Sequence, residues 1–388
     1  MRLSASGSPR GLIANTIARV TRKSHEPSER CQYFLVLDDA TTFASPKAVQ
    51  GYAGLLVAAD EPPSLPMADV PIVSRFHDLS FLEEDAIVKV SASTGHLKVL
   101  YRPSSTCNAL FVTSACNSRC IMCSQPPLKE PDETLDEQLR VVDLISGQPE
   151  YLGITGGEPT LLKEGLFTLL ERLRDRLPRT TAHLLTNGRL YAYEDFVGHL
   201  AEVAHPRLSS AIPLYADIAQ LHDAIVGAPG AFDQAVHGIY NVAKYSLTLE
   251  IRVVLQRPTI ARLPQLSEFI YRNLPFANHI AFMGLENMGY AVKNWNALWM
   301  DPVEYAPILE ACVRSLFVRR MNVSLYNLQL CTLPRSLWGF ARKSISDYKA
   351  IYLEECQVCD TKELCGGLFA SSKRRHSESL RPIRRNSL

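Results

Sequence analysis

Three cysteines, Cys116, Cys120 and Cys123, crowd into the string Cys116-Asn-Ser-Arg-Cys120-Ile-Met-Cys123. Thiolates are soft donors suited to iron-sulfur clusters or zinc, and a structural zinc site closes all four positions with protein groups. Three thiolates in one loop instead hold three irons of a cubane and leave the fourth iron open to another ligand. The same residues also admit a zinc knuckle closed by Cys107, or plain buried thiols. A second set lies far downstream: Cys331 follows the run Val323-Ser-Leu-Tyr326, and Cys356-Gln-Val-Cys359 precedes Cys365-Gly-Gly367. Cys331, Cys356, Cys359 and Cys365 suffice to close one further cluster or one tetrahedral zinc site. Cys31, Cys107 and Cys312 have no partner pattern and read as core or surface thiols.

Other chemistry gathers after strand-like runs. In Gly156-Gly157-Glu158-Pro159 the glycine pair lets the backbone approach a ligand closely, and the Glu158 carboxylate and exposed carbonyls can accept bonds from an ammonium. Thr186-Asn187-Gly188 is an Asn-Gly turn, with Asn187 either a contact to a bound ligand or a residue serving turn geometry alone. Arg252, in Glu250-Ile-Arg-Val-Val254, can fork onto a carboxylate if it faces inward, and is a solvated side chain if it faces outward. Tyr215 and Asp217 end another apolar run. His222-Asp223 with Gly230-Ala-Phe232-Asp233 reads as helix packing, with Asp233 or a neighbour as the cap.

The elements that must position these residues show a change of pattern along the chain. From Ala109 onward, apolar runs alternate with helical periodicity, the signature of βαβ units and a parallel sheet. Strands are predicted at Ala109-Thr113, Tyr151-Thr155, Ala182-Thr186, Leu208-Leu214, Leu249-Leu255 and Ile280-Leu285, with helices over Leu161 to Leu177 and Leu263 to Leu274. The fold class is therefore α/β, a partial barrel of six βα units, whose chemistry belongs at the carboxyl ends of its strands. Residues 1–105 read as a β-rich accessory domain without ligands or acid-base groups. Its strands include Gln32-Leu37, Ala86-Val90 and His96-Leu100, and an exposed strand edge there would dock an extended peptide or another chain. The barrel is expected over 106–300, and a cysteine-rich domain ending in a basic tail, Lys373 to Arg385, over 301–388.

Composition excludes some partners. With 41 Lys+Arg against 40 Asp+Glu in 388 residues, the net charge of +1 provides no global steering toward nucleic acid or acidic membranes. No apolar run approaches the roughly 18 residues that would span a bilayer. Ten cysteines, seven of them at metal-ligand spacings, with no signal peptide, point to a reducing cytoplasm.

The C-x3-C-x2-C string with the Gly156-Gly-Glu-Pro159 segment at its strand offset resembles the radical S-adenosylmethionine (SAM) enzymes. Cys120-Ile-Met-Cys-Ser-Gln-Pro-Pro127, Leu152-Gly-Ile-Thr-Gly-Gly-Glu-Pro159 and Phe340-Ala-Arg-Lys-Ser-Ile-Ser346 look most like the His-Xaa-Ser-system radical SAM maturases, the HxsC family, from about Leu100 to Ser372. Met122 departs from the wider superfamily, in which an aromatic usually precedes the third cysteine. The downstream cysteines resemble the auxiliary extension called SPASM or twitch, with Phe369 where the full pattern has a further cysteine. The resemblance implies that a [4Fe-4S] cluster on Cys116, Cys120 and Cys123 binds SAM and cleaves it reductively to a 5'-deoxyadenosyl radical. It implies SAM contacts from Gly156, Gly157, Glu158, Pro159, Asn187 and Arg252, and a second, auxiliary [4Fe-4S] cluster. The implied substrate is a ribosomally made His-Xaa-Ser precursor peptide, oxidatively modified or crosslinked. Implied partners are a second radical SAM protein and an electron donor such as flavodoxin or ferredoxin. The alternatives are a non-catalytic peptide-binding subunit of a maturase pair, or a radical SAM enzyme acting on a small-molecule or cofactor precursor.

Overall fold

A computed structural model describes residues 3–37, 46–58, 70–131 and 134–384. They form two compact units, one of Met1–Leu110, Leu135–Leu152 and Asp175–Thr180, the other of Phe111–Thr134, Gly153–Arg174 and Thr181–Leu388. Arg385, the end of the expected basic tail, lies outside the described residues.

The first unit is built on strands β1 (Ser4–Ser6), β2 (Ser8–Arg10), β3 (Thr16–Thr21), β4 (Tyr33–Leu37), β5 (Gly54–Val57), β6 (Ile72–Ser74), β7 (Ile87–Val90) and β8 (His96–Tyr101). Their order is β1-β8-β7-β3-β4-β5-β6-β2. The two ends of that order are joined by one residue, Gly7, so β1 and β2 are halves of a single bent strand and the sheet closes on itself. Ser4 pairs with Lys98 on one side and Arg10 pairs with Ile72 on the other. A side chain at Gly7 would stand 2.7 Å from the Ser74 carbonyl, which is why glycine occupies the bend. Alternating residues such as Val20, Phe34, Leu56, Val88 and Leu97 fill the interior. The exposed edge expected in this region is thus absent among the described residues: closure pairs both ends. Helix Leu135–Leu144 also belongs to this unit, with Glu137 in an ion pair to Lys89, so the unit extends past residue 105.

The second sheet contains β9 (Ala109–Phe111), β10 (Tyr151–Thr155), β11 (Thr181–Leu185), β12 (Leu208–Pro213), β13 (Thr248–Leu255), β14 (His279–Gly284), β15 (Val323–Tyr326) and β16 (Ala341–Arg342), in sequential order. Strands β11 to β16 run parallel. The six expected strands are present, and β15 and β16 carry the same sheet beyond residue 301, after helix Pro302–Val318. That helix starts on a reciprocal cap, in which the Asp301 carboxylate accepts from Val303 N and the Glu304 carboxylate accepts from Asp301 N. The helix expected from Leu161 is interrupted. Pro159–Leu162 forms a 3-10 turn, Lys163 takes φ 49°, and the α-helix runs Glu164–Arg176. A short antiparallel pair, β17 (Ala350–Ile351) with β18 (Leu368–Phe369), holds the cysteine-rich end.

Candidate functional site

The cysteine loop follows β9 and is clamped by backbone hydrogen bonds from three directions. Gly157 N donates to Thr113 O and Glu158 N to Ala115 O, both at 2.7 Å. Arg119 N and Ile121 N donate to Val226 O and Ile225 O at 3.0 Å, and Tyr290 N donates to Cys123 O at 2.8 Å. Asn294 Nδ2 adds a bond to Ile121 O at 2.8 Å. Held this way, Cys116, Cys120 and Cys123 line one cavity of about 300 Å³, with Gly156, Gly157, Asn187, Tyr215 and Arg252 among its other walls. Met122 does not face solvent. It is 7% exposed and packs with Tyr215, Ile225 and Val226, so its thioether shields the loop from behind.

The glycine pair has a structural purpose beyond access to a ligand. A side chain at Gly156 would meet Thr113 O at 2.4 Å, and one at Gly157 would meet Ala115 O at 2.1 Å. Only glycine lets the turn after β10 dock on the backbone that leads into the cysteines. Glu158 does not line the cavity but lies beneath it, 1% exposed. Its Oε1 accepts from Thr160 N at 3.0 Å and from the Thr160 and Thr186 hydroxyls at 2.6 Å, and its Oε2 accepts from Asn187 N at 2.6 Å. Burial raises its pKa while these four bonds oppose the rise. The carboxylate that sequence reasoning offered to an ammonium is therefore consumed in joining two turns, because its side chain points down between them. Pro159, at the first position of the 3-10 turn, is buried and starts that turn. Asn187 lines the cavity, and its Nδ2 donates to Asn117 Oδ1 at 2.7 Å inside the cysteine loop, so it serves more than the geometry of its own turn. Arg189 reinforces this brace through Asn117 O and, at 3.1 Å, Ser118 Oγ.

Arg252 faces inward, on the same face of β13 as Val254 and Glu250. Its Nε and Nη2 donate to the Met283 thioether, at 3.2 and 3.0 Å, a weak acceptor that leaves the guanidinium able to bind a carboxylate in the cavity. Behind it, Glu250 sits 3.5 Å from Arg252 Nε and 3.5 Å from His183 Nε2, and shares a 2.7 Å bond with His279 Nδ1. Burial alone would raise the Glu250 pKa, but the two histidines and Arg252 hold it well below the usual carboxylate range. This column under Arg252 was not apparent in the sequence, because β11, β13 and β14 each supply one part of it.

Tyr215 is a buried cavity wall. Its backbone N donates to His222 Nδ1 at 3.2 Å, which keeps that ring an acceptor and hence neutral. Asp217 is turned away into a two-bond pair with Arg262, at 2.8 and 2.5 Å. The cap of helix Ala231–Lys244 comes from Asp223, not Asp233: its carboxylate accepts from Gly230 N at 2.6 Å and Phe232 N at 2.8 Å. Burial lowers the His222 pKa from 6.5 to about 4. The unfolded chain takes up a proton below its higher pKa and the folded chain resists, so stability falls as pH drops from about 6.5 and the loss levels off near 4. At 1.36 kcal/mol per unit, the full loss is about 3 kcal/mol. Urea unfolding of wild type and His222→Asn across this range tests it; parallel pH curves would remove His222 as the cause.

The second cysteine group converges as well. Cys331, on the turn Leu330–Thr332, joins Cys356, Cys359 and Cys365 around one small cavity, so four thiols spread over 35 residues meet in space. Thr361 Oγ1 lies 3.4 Å from Cys359 Sγ, and Ile383 N donates to that sulfur at 3.3 Å. Although burial pushes the Cys359 pKa up, these hydrogen bonds outweigh it and the thiol sits below its ordinary value. Among the described residues no group of three or more His, Cys, Asp or Glu is arranged to hold a single metal ion.

Comparison with known proteins converges on the first cysteine group. The radical SAM superfamily model matches residues 110–269, the segment that carries the cysteine loop, the glycine turn and the inward Arg252. This segment belongs to the radical SAM superfamily. Two curated relatives are each named AdoMet-dependent heme synthase. The one from Methanosarcina barkeri is 28% identical over 177 residues, 44% of this chain and 49% of its own. The one from Oleidesulfovibrio alaskensis is 27% identical over 216 residues, 54% of this chain and 50% of its own. The chain thus spans about half the length of the curated relatives it matches. Among solved structures, native anSMEcpe with bound AdoMet has the same fold, at 17% identity and TM-score 0.50, covering 71% of this chain and 92% of that one.

The radical SAM cavity suits the [4Fe-4S] cluster and SAM that the superfamily implies. Burial pushes the Cys116 thiol up to about 11, and burial with the neighbouring thiolates pushes Cys120 up to about 12. Burial keeps such thiols protonated near neutral pH, so a cluster bound there would have to displace their protons; the fit rests on three soft donors converging on one cavity. Cys116, Cys120 and Cys123 would hold the cluster, and Arg252 and the Gly156-Gly157 backbone would meet SAM. No helix among the described residues is long and apolar enough to cross a membrane.

Proposed function

We propose that this radical SAM enzyme is a peptide maturase that oxidatively modifies, by crosslinking, a ribosomally made precursor of the His-Xaa-Ser type. A reduced cluster and SAM together supply a carbon radical that takes hydrogen from an unactivated position. The protein's part is orientation and exclusion. Arg252 anchors a carboxylate on one side of the cavity, the cysteine loop stands on the other, and Met122 and Tyr215 keep water from the back wall. Cys331, Cys356, Cys359 and Cys365 would hold an auxiliary cluster that accepts the electron released as the substrate is oxidised.

The observation that carries the reading is the cavity's charge. Its walls include one cation, Arg252, and one carboxylate, Glu286, which Lys349 meets at 3.2 Å. Once Arg252 holds the SAM carboxylate, the described lining residues provide no further cation for a polyanion, whereas a neutral peptide backbone needs none. The names of the curated relatives favour a second reading, action on a haem precursor. A macrocycle carrying several carboxylates would call for several cations around it. In the peptide reading, a second radical SAM protein and a flavodoxin or ferredoxin are the proposed partners.

The test is mass spectrometry of a His-Xaa-Ser peptide co-expressed with this chain, with and without the presumed partner, beside the same chain incubated with a haem precursor. A loss of two hydrogens from the peptide is expected. Turnover of the macrocycle with an unchanged peptide would replace this reading by the second. Anaerobic reconstitution should yield about eight irons per chain and no zinc, as two cubanes require.

A further inference from the structure

The described end of the chain is strapped across the second cysteine group. Ser377 is 4% exposed, and its hydroxyl donates at 2.8 Å to Asp301 Oδ1, the cap of helix Pro302–Val318. Leu380, Arg381 and Ile383 then line the cavity shared by the four cysteines. The strap is tied there on both sides, since Asp360 N donates to Ile383 O at 2.9 Å while Ile383 N donates to Cys359 Sγ at 3.3 Å. Cys359 Sγ thus receives a main-chain donor from a segment that contributes no ligand. The charges of this basic stretch are conspicuous in the sequence, whereas its backbone donors have no sequence signature.

We propose that the strap Ser377–Ile383 is a positioning element of the auxiliary centre, setting its reduction potential through the N–H···S bond from Ile383 and closing it to solvent with Leu380, Arg381 and Ile383. The inference rests on the reading of these cysteines as a cluster site. A hydrogen bond to a cluster sulfur stabilises the reduced, more negative form, so each one raises the potential. The strap makes the centre a better acceptor of an electron leaving an oxidised substrate, and Ser377 keeps the strap in register.

The experiment uses the full chain, reconstituted anaerobically and titrated by EPR. Ile383→Pro removes the donor to Cys359, and Ile383→Ala keeps it. The expected result is a shift of the second cluster to more negative potential in Ile383→Pro, of about tenfold in its reduction equilibrium, or 59 mV for one electron. The first cluster should not move, and Ile383→Ala should match wild type. Ser377→Ala, remote from the sulfurs, should shift the same signal in the same direction and keeps the question answerable if the proline variant does not fold. Equal potentials in all four proteins, with the second cluster present, overturn the strap's role. Zinc or no metal at these cysteines in wild type would instead overturn the cluster reading on which it rests.

Discussion

Replacing Cys116, Cys120 and Cys123 together with Ala should reduce 5'-deoxyadenosine formation to the level of an enzyme-free control. Among the described residues the three thiols are the only cysteines in the walls of the cavity, and the thioethers of Met122 and Met283 there are neutral donors that cannot replace thiolates. Their backbones are fixed by hydrogen bonds that do not involve sulfur, so the loop keeps its path in the variant. Cys331, Cys356, Cys359 and Cys365 line a different cavity and should retain about four irons per chain. Chromatographic quantitation of 5'-deoxyadenosine with iron analysis of the same sample decides the matter. Cleavage that survives with the first iron set gone removes these residues from the chemistry.

The second large effect is expected at Glu158, which touches no ligand. Changing it to Ala strips the acceptor from four donors at once, two of them backbone amides, in a place water does not reach. Breaking a buried charged network of this kind costs about 3–5 kcal/mol. The loss should also appear as weaker SAM binding, since the two turns that Glu158 joins carry Gly157 and Asn187, and both brace the cysteine loop. Thermal unfolding and equilibrium dialysis with labelled SAM measure the two parts. A variant that melts with wild type and binds SAM equally would show the carboxylate to be dispensable.

The contrast between these two sites explains what the sequence made legible. Cys116, Cys120 and Cys123 fall close together in one loop and so announce themselves by spacing, as do the alternating apolar runs of the barrel strands. Arg252 was visible as a residue, but its direction was settled only by the register of β13 between β12 and β14. Glu250, His183 and His279 come from three strands, and a group assembled through a sheet leaves no local pattern. Glu158 was read by its charge, whereas its surroundings determine its use. The two added strands, β15 and β16, were missed as part of the barrel because the cysteines around them drew the boundary too early.

The bent first strand of the N-terminal barrel also dictates an order of events during synthesis. Ser4–Arg10 leaves the ribosome before any of its partners exists, yet it pairs with Ile72 through Ser74 and with His96 through Lys98. The Ser8–Arg10 half waits until Ile72–Ser74 has emerged and the Ser4–Ser6 half until His96–Lys98 has, the costly kind of loop closure that slows folding. During that interval the nascent strand is an unpaired partner for any other chain. A bulky fusion placed against Ser4 would therefore interfere chiefly with the last step of barrel assembly rather than with the chemistry of the cysteine loop.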